Sequence, residues 1–149
     1  MILREFEDSD LDAIVDLERR AFEVGPYTRR MLRHIFEDSS GSNVLAVEDG
    51  RIVGYALILP LNSTQVDLET IAVLPEFQGK GVSHKLLDHL ENEARRRGFK
   101  KMILEVRDRN ERAMSFYHRK GYTTISHLPL FYRENYNGSR GAYRMSKDL

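Results

Sequence analysis

The sequence predicts an α/β fold, a mixed central sheet of about seven strands with helices on both faces. Three observations carry that prediction. Short β-prone runs are punctuated by turn residues, most clearly at Glu48-Asp49-Gly50, where Asp-Gly is a strong hairpin signal. Other segments carry apolar residues at helical spacing, as in Val82, Leu86, Leu87, Leu90 and Ala94. Finally, the strands run first as a meander and later through helical crossovers, which mixes antiparallel with parallel pairing.

Taken in order, Ile2 to Phe6 reads as a first strand. Asp8-Ser9-Asp10 offers helix-capping side chains, and Leu11, Ile14, Val15, Leu17 and Glu18 continue at helical spacing to about Phe22. Gly25-Pro26 breaks that helix. Thr28 caps a second, whose apolar face is Met31, Leu32, Ile35 and Phe36. Asn43 to Glu48, Arg51 to Leu59 and Thr64 to Val73 form the meander. A long helix runs from Gly79 to about Arg97, with Gly98 as its stop. Lys100 to Arg107 is a strand, Asn110 to Lys120 a helix closed by Gly121, and Tyr122 to Ser126 a strand. The polar, aromatic loop Pro129 to Gly141 precedes a last strand, Ala142 to Ser146.

Composition narrows the classes of function. The 149 residues read as one domain, residues 1–149, with room for a real core. Lys plus Arg and Asp plus Glu balance at 23 each, so no net field draws the chain to nucleic acid or lipid. The absence of cysteine excludes disulfides, thiolate metal sites and thiol nucleophiles. No apolar run suits a signal peptide or a membrane span, so a cytoplasmic location is expected. The five histidines (34, 84, 89, 118 and 127) show no ligand spacing, and no metal is expected.

The segment from Val73 to Ser83 is where chemistry is first visible. It joins a strand to a helix, and its small residues let consecutive N–H groups converge where the helix dipole is positive. That is an anion cradle suited to a pyrophosphate, with Lys80 adding charge at the rim. A tight structural turn would use the same Pro75 and Gly79. Neither a Walker loop nor the dinucleotide fingerprint fits: Gly79-Lys80-Gly81 lacks the hydroxyl residue of the first, and His84 occupies the last glycine of the second.

Gln78-Gly79-Lys80-Gly81-Val82-Ser83 resembles the coenzyme A pyrophosphate turn of the GNAT acetyltransferase superfamily, Gln/Arg-x-x-Gly-x-Gly/Ala. Ser83 is the one departure, small enough to keep the close approach. Downstream, Leu104-Glu105-Val106-Arg107, Asn110, Ala113, Phe116-Tyr117 and Gly121-Tyr122 resemble the family's second half. The likeness spans about Ile2 to Lys147. Within the superfamily it is nearest to N-terminal protein acetyltransferases of the ribosomal-protein and NatA types, on the Leu-Glu-Val-Arg strand, the Ala142–Leu149 ending and the Leu130-Phe131-Tyr132 loop.

The resemblance implies a GNAT fold, acetyl-CoA as cosubstrate, and a protein or peptide N-terminus as acceptor, with an auxiliary subunit or ribosome association in the same group. It implies that Ile71, Ala72 and Val73 hold the pantetheine arm along a strand splayed by a bulge. Gln78, Gly79, Lys80, Gly81, Val82 and Ser83 hold the diphosphate, and Asn110 and Tyr117 reach the coenzyme. Tyr117 is placed at the sulfur, where a protonated phenol donates to the leaving thiolate; core packing is its ordinary alternative.

Acetyl transfer to an amine needs the amine neutral. At pH 7 that costs about 1 kcal/mol for an α-amino group and about 4.6 for lysine, which favours terminal amines and leaves lysine side chains or a small-molecule amine, a polyamine or antibiotic, as the alternative acceptor. Glu105 leaves the apolar face of its strand and is the first choice of base, its alternative being a solvated acid or a partner for Arg107. Asp67 and Glu69 are the reserve, and Glu23 follows. Tyr27, Phe131, Tyr132 and Tyr136 are candidates for a peptide slot, or simply loop packing.

Overall fold

A computed structural model describes all 149 residues. Alternating side chains build the strands β1 (Ile2–Arg4), β2 (Ser42–Glu48), β3 (Arg51–Pro60), β4 (Gln65–Val73), β5 (Lys101–Arg107), β6 (Thr123–Leu128) and β7 (Ala142–Asp148). Helically spaced apolar residues build α1 (Leu11–Ala21), α2 (Arg29–Glu37), α3 (Val82–Arg96) and α4 (Glu111–Arg119). The strands form one mixed sheet in the order β1-β2-β3-β4-β5-β7-β6. Only β4 and β5 pair in parallel, across the α3 crossover.

Helices cover both faces, and two neighbouring residues of β3 show it. Successive strand residues point to opposite faces. Gly54 faces α3: a Cβ there would stand 3.1 Å from the Val82 Cγ1 and 3.2 Å from the Leu86 Cδ1. The Tyr55 hydroxyl on the other face donates to Glu18 of α1, and its ring lies 5.6 Å from that of Phe36 in α2. The expected stripe of α3 is buried from Val82 to Ala94. Each of its large side chains contributes roughly 1.5–3 kcal/mol relative to exposure. Gly54 therefore lets the first turn of α3 sit directly on the sheet.

Several boundaries differ from expectation, each for a local reason. The first strand ends at Arg4, and two residues on the Phe6 N–H has turned to the Asn43 Oδ1, 2.8 Å away. The first helix opens with a 3₁₀ turn, Asp8–Asp10, because the Asp10 carboxylate accepts from the Glu7 N–H (2.8 Å) and pairs with Arg4. The long helix starts at Val82 and not Gly79, since Gly79 and Gly81 adopt φ of +77° and +84°. The sixth strand begins only at Thr123 because the Tyr122 N–H is used by the Tyr117 carbonyl to close α4. The last strand extends to Asp148, which pairs with Lys101 of β5.

Candidate active site

The sheet opens where the site lies. β4 and β5 are paired only from Gln65 to Asp67 against Lys101 to Ile103. Beyond that, β4 follows β3 and β5 follows β7, so the two part like a wedge. The β3–β4 register jumps between Leu57, opposite Thr70, and Ile58, opposite Leu68. Glu69 is the extra residue of that bulge, which bends β4 away from β5. The expected bulge is thus present, and Ile71, Ala72 and Val73 follow it on the unpaired stretch of β4.

One end of the wedge is made of main chain. Gln78 to Gly81 turn the chain from β4 into α3. Gln78 braces the turn by donating from its Nε2 to the Val73 carbonyl at 3.1 Å. Gly81 is the N-cap of α3 and offers no side-chain acceptor, so the first N–H groups of Val82, Ser83 and His84 stay open. A Cβ at Gly81 would meet nothing within 4 Å, leaving space before those donors. An anion placed there meets N–H groups and the positive helix end. Lys80 stands at the rim, its Nζ 5.4 Å from the Phe77 ring centroid. The turn, its open donors and its rim charge fit a diphosphate.

The other end is made of side chains. Asp67 and Glu69 of β4 and Glu105 of β5 converge, and Asp67 is pushed up to about 8, first by burial, then by its hydrogen bond to Glu69 and the negative charges of Glu105 and Glu69. Glu105 does not pair with Arg107. Its Oε2 accepts from the Arg144 Nε at 2.9 Å, across the β5–β7 ladder. The Tyr27 hydroxyl donates to the Glu69 Oε1 at 3.2 Å.

Buried Glu18 holds Tyr27 in place, accepting from its N–H at 2.8 Å and from the Tyr55 hydroxyl. Burial raises the Glu18 carboxyl, against the lowering effect of those two hydrogen bonds.

Tyr117 lies near Tyr132, which in turn lies near Glu105 and Asp67. Burial raises both phenols, Tyr117 strongly and Tyr132 to about 12, so both stay protonated at neutral pH. The Tyr117 ring packs edge-on to Phe116 and Tyr122, and its hydroxyl has no hydrogen-bond partner in the protein. Asn110 caps α4 by accepting from the Ala113 N–H at 3.1 Å. Phe131 is 45% exposed with its ring against Tyr132, and Glu23 is exposed and forms no side-chain hydrogen bond or ion pair. No group of three His, Asp or Glu is arranged to hold a metal ion.

Sequence reasoning missed Arg144 and Arg112, and read Glu18 only as part of the inward face of α1. Arg144 is recognisable only once the β5–β7 register sets it beside Glu105. Arg112 did carry a signal: a cation in the first turn of α4 opposes the helix dipole and calls for a reason. The reason is visible, since its Nη1 reaches the Gln78 Oε1 at 3.5 Å and its Nη2 would lie 3.7 Å from a Cβ at Gly79. It stands over the phosphate turn as a second cation.

Similarity to known proteins agrees with this geometry. An uncharacterized N-acetyltransferase of Methanocaldococcus jannaschii is 33% identical over 90% of this chain and 85% of its own length. The ribosomal protein bS18-alanine N-acetyltransferase of Escherichia coli is 30% identical over 78% of this chain and 76% of its own. The crystal structure of the E. coli ribosomal-protein-S18-alanine N-acetyltransferase superposes with a TM-score of 0.90 at 25% identity, covering 99% of this chain and 93% of that one. Arabidopsis thaliana Naa50, in complex with the bisubstrate analogue CoA-Ac-MVNAL, shares the fold with a TM-score of 0.85 at 21% identity, over 99% and 98% of the two chains. The acetyltransferase (GNAT) family matches residues 11–122. The chain therefore belongs to the GNAT family and is an acetyl-CoA-dependent N-acetyltransferase.

Proposed function

We propose that the 149 residues form a single domain that acetylates the N-terminal α-amino group of proteins or peptides, by direct attack within a ternary complex. The observation that carries this reading is the meeting of Asp67, Glu69 and Glu105 at the apex of the wedge, where burial and the neighbouring acids push the Asp67 carboxyl up. A base works best when its pKa lies near both the working pH and that of the group it deprotonates. An α-ammonium at about 7.7–8.0 lies much nearer to so raised a carboxyl than does a lysine ammonium near 10.4. Likeness to an enzyme named for an α-amino acceptor, the bS18-alanine enzyme, supports the same choice.

Acetyl-CoA supplies the activated acyl group, gripped through its diphosphate by the N–H groups of Val82 and Ser83, with Gly79 and Gly81 leaving room and Lys80 and Arg112 countering charge. Ile71 to Val73, free of β5, line its arm and offer an N–H to the carbonyl oxygen. The acceptor ammonium enters among Asp67, Glu69 and Glu105 and loses a proton to the Asp67–Glu105 pair. Arg144 keeps Glu105 compensated and so lets two acids share one site. The neutral amine attacks the acetyl carbon, and Tyr117 gives its phenolic proton to the departing sulfur. Tyr27, Tyr132 and Phe131 flank the entering chain. A cytoplasmic setting, where such N-termini are reached, goes with this reading; no helix is long and apolar enough to cross a membrane.

The test is side-by-side turnover of acetyl-CoA with free-amine peptides, spermidine and an aminoglycoside. Peptides should dominate kcat/KM. Turnover of the polyamine or the aminoglycoside with none of peptides would contradict the reading.

A further inference from the structure

The loop between β6 and β7 hangs over the carboxylates, and its own hydrogen bonds make it a unit. The Tyr132 N–H donates to the Arg140 carbonyl, the Arg140 Nε returns to the Tyr132 carbonyl, and Tyr136 pairs with Ser139. Those bonds stiffen the loop within itself. From residues 132–136 a single hydrogen bond reaches the body of the fold, and it comes from Arg107, whose Nη1 donates to the Glu134 carbonyl at 2.9 Å.

Arg107 does more than that. Its guanidinium carbon lies 3.9 Å from the Tyr132 ring centroid and 5.8 Å from that of Tyr136. It forms no ion pair with any carboxylate, so its charge is committed to aromatic faces and one carbonyl. A guanidinium suits this use because its plane stacks while its edge donates. The opposite loop closes on the same group: a Cβ at Gly25, between α1 and α2, would stand 3.5 Å from the Arg107 Nη2 and 3.3 Å from the Glu134 Oε2. Gly25, at φ +67° and without a side chain, lets the two loops meet.

We propose that Arg107 is a positioning residue that latches the aromatic loop against the α1–α2 loop, so that an acceptor reaches Asp67 and Glu105 end-on beneath a bridge. Arg107 leaves β5 two residues after Glu105, on the same face of the strand, so one strand carries both the acid and the latch. The latch is defined by contacts within the protein; its effect on acceptors rests on the N-terminal reading above.

Two readouts on Arg107→Ala and Arg107→Lys separate these claims. Trypsin cleavage after Arg133, inside the loop, measures opening without any acceptor. It should quicken roughly tenfold in Arg107→Ala, the scale of losing one cation–π contact and its hydrogen bond. Arg107→Lys, which keeps the charge but not the stack, should fall between. In kinetics, the peptide KM should rise roughly tenfold in Arg107→Ala while coenzyme affinity stays unchanged and kcat moves less. Equal cleavage in a variant with unchanged thermal stability overturns the latch. A latch that opens with peptide KM unmoved overturns its role in acceptor binding. Should the alanine variant fail to fold, Arg107→Lys decides by the same two readouts. If the wild type acetylates no peptide, the N-terminal reading fails while cleavage still judges the latch.

Discussion

On the proposed reading, the two ends of the wedge recognise their ligands with different parts of the polypeptide. At the donor end the proposed contacts come from main-chain N–H groups of one continuous segment, Gln78 to Ser83, with Lys80 and Arg112 as exposed charges beside them. At the acceptor end they come from side chains delivered by β4, β5, β7 and two loops: Asp67, Glu69, Glu105, Arg144, Tyr27 and Tyr132. A main-chain cradle depends on backbone conformation and tolerates most side chains. A side-chain cluster depends on the protonation of each member. Substitutions should therefore divide into those that lose coenzyme and those that lose chemistry.

The largest effect is expected at the donor end. Gly81→Glu must carry a side chain at φ +84° and puts a carboxylate before the open N–H groups. Coenzyme affinity measured by calorimetry should drop roughly hundredfold or more, since both the cradle shape and its sign are reversed. Normal affinity in this variant would remove the basis for a main-chain cradle.

Next comes Tyr117→Phe, which removes a hydroxyl that bonds nothing in the protein and so should leave the thermal midpoint nearly unchanged. Turnover should fall about 10²-fold with coenzyme affinity intact. Loss of coenzyme binding instead would move Tyr117 to the donor side of the comparison.

Asp67→Asn should cost about tenfold in kcat/KM at pH 7, because an α-amine is already about one-tenth neutral there. The wild type should gain activity as pH rises through about 8, while the variant keeps only the acceptor's own titration. Stability moves the other way. The folded carboxyl is raised from 3.8 to about 8, so the native state holds the proton longer than the unfolded chain does. Its stabilising contribution is complete below the unfolded value and is lost as pH climbs toward 8. Asp67→Asn should accordingly melt above the wild type at pH 9 and close to it at pH 5, by thermal unfolding.

The smallest effect belongs to Arg112→Ala. An exposed cation over the turn should weaken coenzyme binding about three- to fivefold at low salt, and less at high salt. A loss as large as that of Gly81→Glu would mean side-chain charge, and not the main chain, grips the diphosphate.

The same contrast explains what was legible before folding. The phosphate turn lies within one short stretch, and glycine at 79 and 81 is needed there because both adopt positive φ. Strand and helix identities were legible for the same reason, since periodicity is local. Glu105 was readable as leaving the apolar face, but its partner was not: Arg144 is distant in sequence and reaches it only through the antiparallel β5–β7 register. Asp67 was visible only as a reserve, because its raised pKa comes from burial and from Glu105 on another strand. Boundaries slipped where side chains or caps diverted the backbone, as Asn43 does at Phe6 and α4 closure does at Tyr122.

A single peptide with a free α-amine and an internal lysine tests the central claim most directly. After incubation with acetyl-CoA between pH 6 and 9, fragment mass spectrometry locates the acetyl group. Acetyl is expected on the α-nitrogen alone, formed at a rate that rises through pH 8. Acetyl on the lysine with the terminus left free would contradict an acceptor end tuned to the α-amine.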